Sequence, residues 1–178
     1  MTPDENLVAE LRGGSRDAFA TLFDRYREPV WRFFRRRVAD RGRAEELTQD
    51  TFVAILEGAR RYEGRGPFRS YLFGVAYNIL LADRRKTAPQ PRAAGSDPPA
   101  PAADRDAALW IQAALAQLDA DERELLMLRE YEELSYLEIA QVLEIPINTV
   151  RSRLFRARMA LKQRLDAQRI VGVSHAAR

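Results

Sequence analysis

The chain contains no cysteine, which excludes disulfide frameworks, thiolate-ligated zinc and thiol catalysis. Histidine is nearly as scarce: His175, in the C-terminal tail, stands alone. Long apolar runs are missing too. The longest uncharged stretch, Ser70 to Ala82, has thirteen residues, short of the ~18 that a membrane-spanning helix requires. The N-terminal MTPDENLVAE carries acids and no apolar run, unlike a signal peptide. There is no phosphate-cradling glycine loop, no alternation of β-branched residues and no internal repeat. What remains is 46% apolar and 31% charged residues, the composition of a folded protein with a wet surface. A soluble, cytoplasmic protein is the default expectation.

Charge is unevenly placed along the 178 residues. Residues 1–86 hold 17 basic and 13 acidic side chains, 106–150 hold 2 and 10, and 151–178 hold 8 and 1. The balance swings from −8 to +7 between the last two segments, which suits a polyanion-binding surface at the C-terminal end. A charge-dense solvated helix would have the same composition.

Five of the nine prolines fall between Thr87 and Arg105, among Ala, Gly and Ser. Such a segment cannot bury enough surface to fold and reads as a linker. Its reach is roughly 55–60 Å as polyproline II, or ~25 Å as a coil. Both flanks show apolar residues at three- and four-residue spacing, the helical period. The expected helices are 5–12, 16–40, 43–61 and 68–86, then 107–118, 122–132, 136–143 and 148–166. Ser15 or Asp17 is the expected cap of the second. Asp121 with Glu124, and Ser135 with Glu138, have the spacing of capping boxes. The expectation is an all-α chain of two small helical domains, 1–86 and 106–170, joined by the flexible Pro/Ala-rich linker 87–105 and followed by a tail, 171–178.

At ~100° per residue, Val150, Leu154, Ala157, Leu161 and Leu165 form one stripe of the last helix. Thr149, Ser152, Arg156, Met159 and Gln163 lie opposite, with Arg151, Phe155 and Lys162 at the edge. Arg153 and Arg158 flank the buried stripe, where they support the helix or touch phosphate. Ahead of them SYLEIAQVLEIPI supplies a short helix, the small Ala140 at a close crossing, and a tight turn. That order makes a helix-turn-helix, whose second helix enters the major groove. Arginine can hold guanine by two hydrogen bonds and an exposed Phe can pack on a thymine methyl.

In the first domain, AEELTQDTFVAILEGA turns Leu47, Phe52, Ile55, Leu56 and Ala59 inward and Glu46, Gln49, Asp50, Val53 and Glu57 outward. A metal site at Glu45, Glu46 and Asp50 has no companion histidine, and an ordinary solvated face is equally compatible with composition. RYEGRGPFRSYLFGVAYNILLADRRK interleaves cations with aromatics, as single-stranded nucleic acid requires for stacking and phosphate pairing. Leu72, Val75, Ala76 and Ile79 are core candidates there, as are Phe68 and Phe73.

These motifs carry a close resemblance. Residues 106–166, above all the TV-SRL-RAR cluster from Thr149 to Arg158, resemble region 4 of the extracytoplasmic-function (ECF, group 4) sigma factors of the sigma-70 family. AEELTQDTF resembles region 2.2, and the segment around Phe68 to Arg85 resembles regions 2.3 and 2.4. The resemblance implies a non-catalytic sigma factor without a cofactor. Its partners would be core RNA polymerase, through the β′ clamp helices and β flap, promoter DNA and an anti-sigma factor. It implies −35 contacts by Thr149, Arg151, Ser152, Phe155 and Arg156. It implies −10 contacts by Arg65, Phe68, Tyr71, Asn78, Asp83 and Arg84, with a base extracted from the stack at a cost of a few kcal/mol. It also implies polymerase docking by Glu46, Gln49, Asp50, Val53 and Glu57. Glu144 and Asn148 stand where the family usually has glycine, Tyr71 where it has tryptophan, and Gly74 falls mid-helix. A stand-alone helix-turn-helix regulator is the principal rival, and it leaves 43–86 unexplained. An enzyme acting on nucleic acid is more remote.

Overall fold

The computed structural model describes residues 2–62, 66–87 and 105–176. All regular structure among them is helical: α1 (Asp4–Arg12), α2 (Arg16–Arg35), α3 (Arg41–Gly58), a 3-10 turn (Ala59–Arg61), α4 (Phe68–Lys86), α5 (Arg105–Ala116), α6 (Ala120–Glu130), α7 (Tyr136–Leu143) and α8 (Ile147–Ala176). The chain divides into two compact units, the first carrying α1 to α4. The expected linker lies, from residue 88 to 104, outside the described residues. Among the described residues no helix is long and apolar enough to cross a membrane.

Local chemistry sets the helix ends in the first unit. Gly14, at φ +90°, adopts the left-handed conformation that glycine reaches without steric cost. This lets the Ser15 N–H reach back to the Glu10 carbonyl at 3.1 Å. Ser15 then caps α2, its hydroxyl accepting from the Ala18 N–H at 3.2 Å, so Ser15 rather than Asp17 is the cap. α2 stops at Arg35 instead of 40 because two interactions turn the chain. The Arg35 guanidinium donates to the carbonyls of Val38 and Ala39 at 3.0 and 3.1 Å. Asp40 captures the Arg43 N–H at 2.6 Å and starts α3 two residues earlier than expected.

α2, α3 and α4 pack around Phe33, Phe34, Leu47, Ile55, Leu72, Phe73 and Leu80, all fully buried. Phe33 meets Phe34 edge-on at 5.1 Å and Phe73 at 5.8 Å. Thr48 and Thr51 are tolerated in this interior because their hydroxyls donate to the carbonyls of Ala44 and Leu47, at 2.7 and 2.8 Å. One expectation changes. Leu56 is not inward: it is 51% exposed, one turn beyond Val53 on the outer face. A Cβ on Gly74 would meet nothing within 4 Å, so the glycine does not admit a close neighbour. Gly74→Ala is therefore expected to stabilise α4 by ~1 kcal/mol, read as a higher urea midpoint at unchanged slope.

The second unit buries Leu118, Leu125, Leu128, Leu134, Ile139, Val150, Leu154 and Ala157. The Ser135–Glu138 capping box forms: the Ser135 N–H donates to Glu138 Oε2 at 2.7 Å and the Glu138 N–H to Ser135 Oγ at 3.2 Å. The Asp121–Glu124 box does not. The Arg123 N–H closes the first turn of α6 on the Asp119 carbonyl at 2.9 Å, so the helix begins at Ala120 and Glu124 is buried within it. Glu144 takes the left-handed conformation, φ 54°, and the Ile145 N–H bonds the Ala140 carbonyl at 3.1 Å, a Schellman ending. Glu133, at φ 52°, is a second left-handed glutamate that sequence inspection missed. Each such position costs a non-glycine residue roughly 1–2 kcal/mol. Asn148 is neither left-handed nor a cap. The carbonyl of Pro146 takes the first bonds of α8, from the N–H groups of Thr149 and Val150 at 2.8 and 3.1 Å. α8 runs on to Ala176, ten residues past the expected end at Asp166, and so through most of the expected tail.

Candidate nucleic-acid interface

Pro146 and the buried stripe Val150–Leu154–Ala157 fix the rotation of α8 about its axis. That rotation leaves Arg151, Ser152, Phe155, Arg156 and Met159 exposed, with Phe155 at 66%. Thr149 is partly covered, and its carbonyl accepts from the Ser152 hydroxyl at 3.1 Å. Arg151 Nη1 donates to Asn148 Oδ1 at 3.1 Å, which draws the guanidinium toward the N-terminal turn of the helix.

The other two arginines of the cluster reach back into the unit. Arg158 donates to Glu130 Oε1 at 2.8 Å and to the Tyr136 hydroxyl at 3.2 Å, linking α8 to both α6 and α7. These hydrogen bonds, Glu130 first, push the guanidinium pKa above its ordinary value. Arg129 holds the other side of this junction. Its guanidinium lies 5.5 Å from the Tyr136 ring and donates to the Leu134 carbonyl at 2.9 Å. Arg153 pairs with Asp121 at 3.6 Å. One set of cations faces outward and one set braces the helix. The outward set can offer its donors to base edges or phosphates.

The outer face of α3 carries Glu46, Gln49, Asp50, Val53 and Glu57, all exposed. Val53 at 54% and the misjudged Leu56 at 51% add an apolar pair within this acidic strip. An apolar centre with a charged rim is the composition of a protein-docking patch.

The expected −10 residues separate into four groups. Arg65 lies outside the described residues. Asn78 is exposed and Arg84 partly so. Phe68, already a core candidate, and Asp83 sit in supporting positions. Phe68 is buried with its ring edge-on to Tyr26 at 5.7 Å, so it cannot stack a base where it stands. Asp83, its side chain 12% exposed, accepts from Arg43 Nε and Nη2 at 2.9 and 2.6 Å. This ties the end of α4 to the start of α3, forty residues away in the chain. Tyr71 stacks on Tyr62 at 4.3 Å and 27°, and the Tyr62 hydroxyl donates to the Gly66 carbonyl at 2.8 Å. Burial raises both phenol pKa values, keeping them as neutral donors. Gly58 makes room for this pair, since a Cβ there would lie 2.6 Å from the Tyr71 hydroxyl. Tyr62 belongs to the cation–aromatic stretch read from the sequence but not to the expected contacts, and Arg43 was not singled out at all. The aromatic cluster signalled the first; nothing local signalled the second.

Comparison with known proteins matches residues 22–89 to "Sigma-70 region 2" and residues 108–161 to "Sigma-70, region 4". The chain is 30% identical over 181 residues to the RNA polymerase sigma-H factor of Pseudomonas aeruginosa, covering 92% of this chain and 94% of that one. The chain belongs to the sigma-70 family. Within it this sigma factor groups with the ECF members: it is also 30% identical over 162 residues to the ECF RNA polymerase sigma factor SigC of Mycobacterium tuberculosis, covering 87% of each chain. Among solved structures it is similar to CnrH in complex with the cytosolic domain of CnrY, with a TM-score of 0.73 and 27% identity over 92% of this chain and 97% of CnrH. A sigma factor is a non-catalytic specificity subunit. This one binds core RNA polymerase and promoter DNA and directs promoter-specific initiation of transcription at −35 and −10 elements.

Proposed function

We propose a division of labour between the two units of this sigma factor, with named residues for each task. The C-terminal unit, 106–170, reads −35 through Arg151, Ser152, Phe155 and Arg156, with Thr149 at the helix start. The observation that carries this is the split among the arginines of α8: Arg153 and Arg158 are tied to Asp121 and Glu130, whereas Arg156 is exposed. The N-terminal unit, 1–86, docks on polymerase through Glu46, Gln49, Asp50, Val53 and Glu57, now joined by Leu56. It opens −10 through Tyr71, Asn78 and Arg84, together with Arg65. Phe68 and Asp83 hold that surface in place from beneath. Segment 87–105 tethers the two. This sigma factor works in the cytoplasm, where polymerase is. CnrH is solved with the cytosolic domain of CnrY, and an anti-sigma partner belongs to the proposal. Run-off transcription with purified core enzyme and a genomic DNA library tests it. Adding the chain is expected to start promoter-specific transcripts, and alanine at Arg156 or glutamate at Val53 is expected to suppress them. Tight, specific DNA binding by the chain alone, with no transcript, would instead indicate a stand-alone regulator.

A further inference from the structure

The helix α1 lies outside residues 22–89, which match region 2, and no promoter or polymerase contact has been given to it. Its apolar side, Leu7, Val8 and Leu11, is buried, and it packs on α2, α4 and the 3-10 turn. The polar anchor of this helix is Asp4 in the first turn. One carboxylate oxygen accepts from Arg25 Nη1 and the other from the Tyr26 hydroxyl. Arg25 also donates to the Thr2 carbonyl at 3.0 Å. Burial, then the hydrogen bond to Asp4, raises the Tyr26 pKa, so the phenol stays protonated and donates.

From Tyr26 a continuous line of rings leads to the candidate melting surface. The Tyr26 ring meets Phe68 edge-on at 5.7 Å and 66°. Phe68 contacts Tyr71 at 6.4 Å, and Tyr71 stacks on Tyr62 at 4.3 Å, whose hydroxyl holds the Gly66 carbonyl at 2.8 Å. Phe68 is the first residue of α4, and the preceding Pro67 supplies no side-chain cap. An uncapped helix start keeps orphan N–H groups, so packing on Phe68 must hold it. Removing the acceptor for a half-buried phenol leaves that hydroxyl to find another partner, which shifts the ring. A close-packed interior passes such a shift to its neighbours rather than absorbing it.

We infer that Asp4 is a positioning residue for promoter opening, acting through Tyr26 and Phe68 on the stacked pair Tyr62–Tyr71. The inference rests on the assignment of the α4 start to −10 opening. Without Asp4 the docking face of α3 and the reading face of α8 are intact, but the stacked pair is no longer held where a base must be received. Asp4 therefore acts on the melting step and not on polymerase or duplex binding.

The test uses full-length chain in holoenzyme, on a promoter recovered by the run-off screen. Open-complex formation is followed by permanganate reactivity on the duplex and on the same fragment with an unpaired −10 segment. Asp4→Asn is expected to slow opening of the duplex by about tenfold and to match wild type on the unpaired fragment. Asp4→Glu, which keeps the carboxylate, should recover part of the rate. Equal duplex rates for Asp4→Asn and wild type would overturn the inference. So would an equal deficit on both templates, or lost core binding, since either marks a merely structural contact. A wild-type holoenzyme that opens no duplex promoter overturns the −10 assignment and this inference with it.

Discussion

Replacing Phe33 with alanine is expected to destabilise the N-terminal unit by about 3–5 kcal/mol, a large part of the 5–15 kcal/mol that typically holds a domain together. The ring is fully buried and meets Phe34 and Phe73 at 5.1 and 5.8 Å. It also lies under the Arg37 guanidinium, 3.8 Å from the ring centroid, in a cation–π contact worth roughly 0.5–2 kcal/mol. Alanine removes the dispersion contacts on every side and takes away the surface on which Arg37 rests. Urea unfolding of the full chain, followed by circular dichroism, should show part of the helical signal lost at a much lower midpoint. A shift equivalent to less than ~1 kcal/mol would mean that the site collapses around the smaller residue. The outer face of α3 supplies the contrast. Leu56→Ala there should change stability by no more than about 0.5 kcal/mol while lowering affinity for core polymerase.

The second large effect is expected at Arg156, where alanine should relax −35 selectivity at one base pair by ~1–3 kcal/mol, or about five- to 150-fold. Two hydrogen bonds from a guanidinium to one base edge are specific to that base, so their loss falls on one position and leaves core binding intact. Competition binding of the holoenzyme to single-base variants of a responsive promoter measures it. Arg158 is the control within the same helix. Its side chain is engaged by Glu130 and Tyr136, so Arg158→Ala should weaken binding to all variants alike, without a change at any single position. If Arg156→Ala also acted uniformly, or if core affinity fell with selectivity, Arg156 would be another brace rather than a reader.

Helical periodicity placed Arg153 and Arg158 beside the buried stripe and Arg156 opposite it, while their pairing with Asp121 and Glu130 came only with the fold. On α8 the buried stripe Val150–Leu154–Ala157 lies where 100° per residue puts it, and the outward set follows by difference. The same rule erred at Leu56, which sits 40° from Phe52 on a helical wheel yet is exposed. Periodicity gives the direction of the apolar face but not its width, and the width depends on how far the neighbouring helices wrap round. Capping was legible where the partners are local. The Ser135–Glu138 box and the Ser15 cap formed; Asp121–Glu124 failed because α6 begins at Ala120 and turns Glu124 inward.

The candidate −10 surface was less legible than the −35 surface. Phe68 and Asp83 belong to the motif by position, but one packs against Tyr26 and the other binds Arg43. Both partners lie about forty residues away, and nothing in the local pattern names them. The supporting role of α1 was hidden for the same reason, since Asp4 reaches Arg25 and Tyr26 across a helix turn that only Gly14 and Ser15 make possible.

The sequence by itself determined the helical class, the two-part organisation, the sigma-70 resemblance and the outward face of α8. Each of these depends on short-range spacing or on composition, which the chain carries locally. The tertiary structure alone decided which residues of those motifs are free to touch a partner and which are spent holding others in place. That choice depends on contacts between residues distant in the chain, where burial and pairing are settled only when the helices pack.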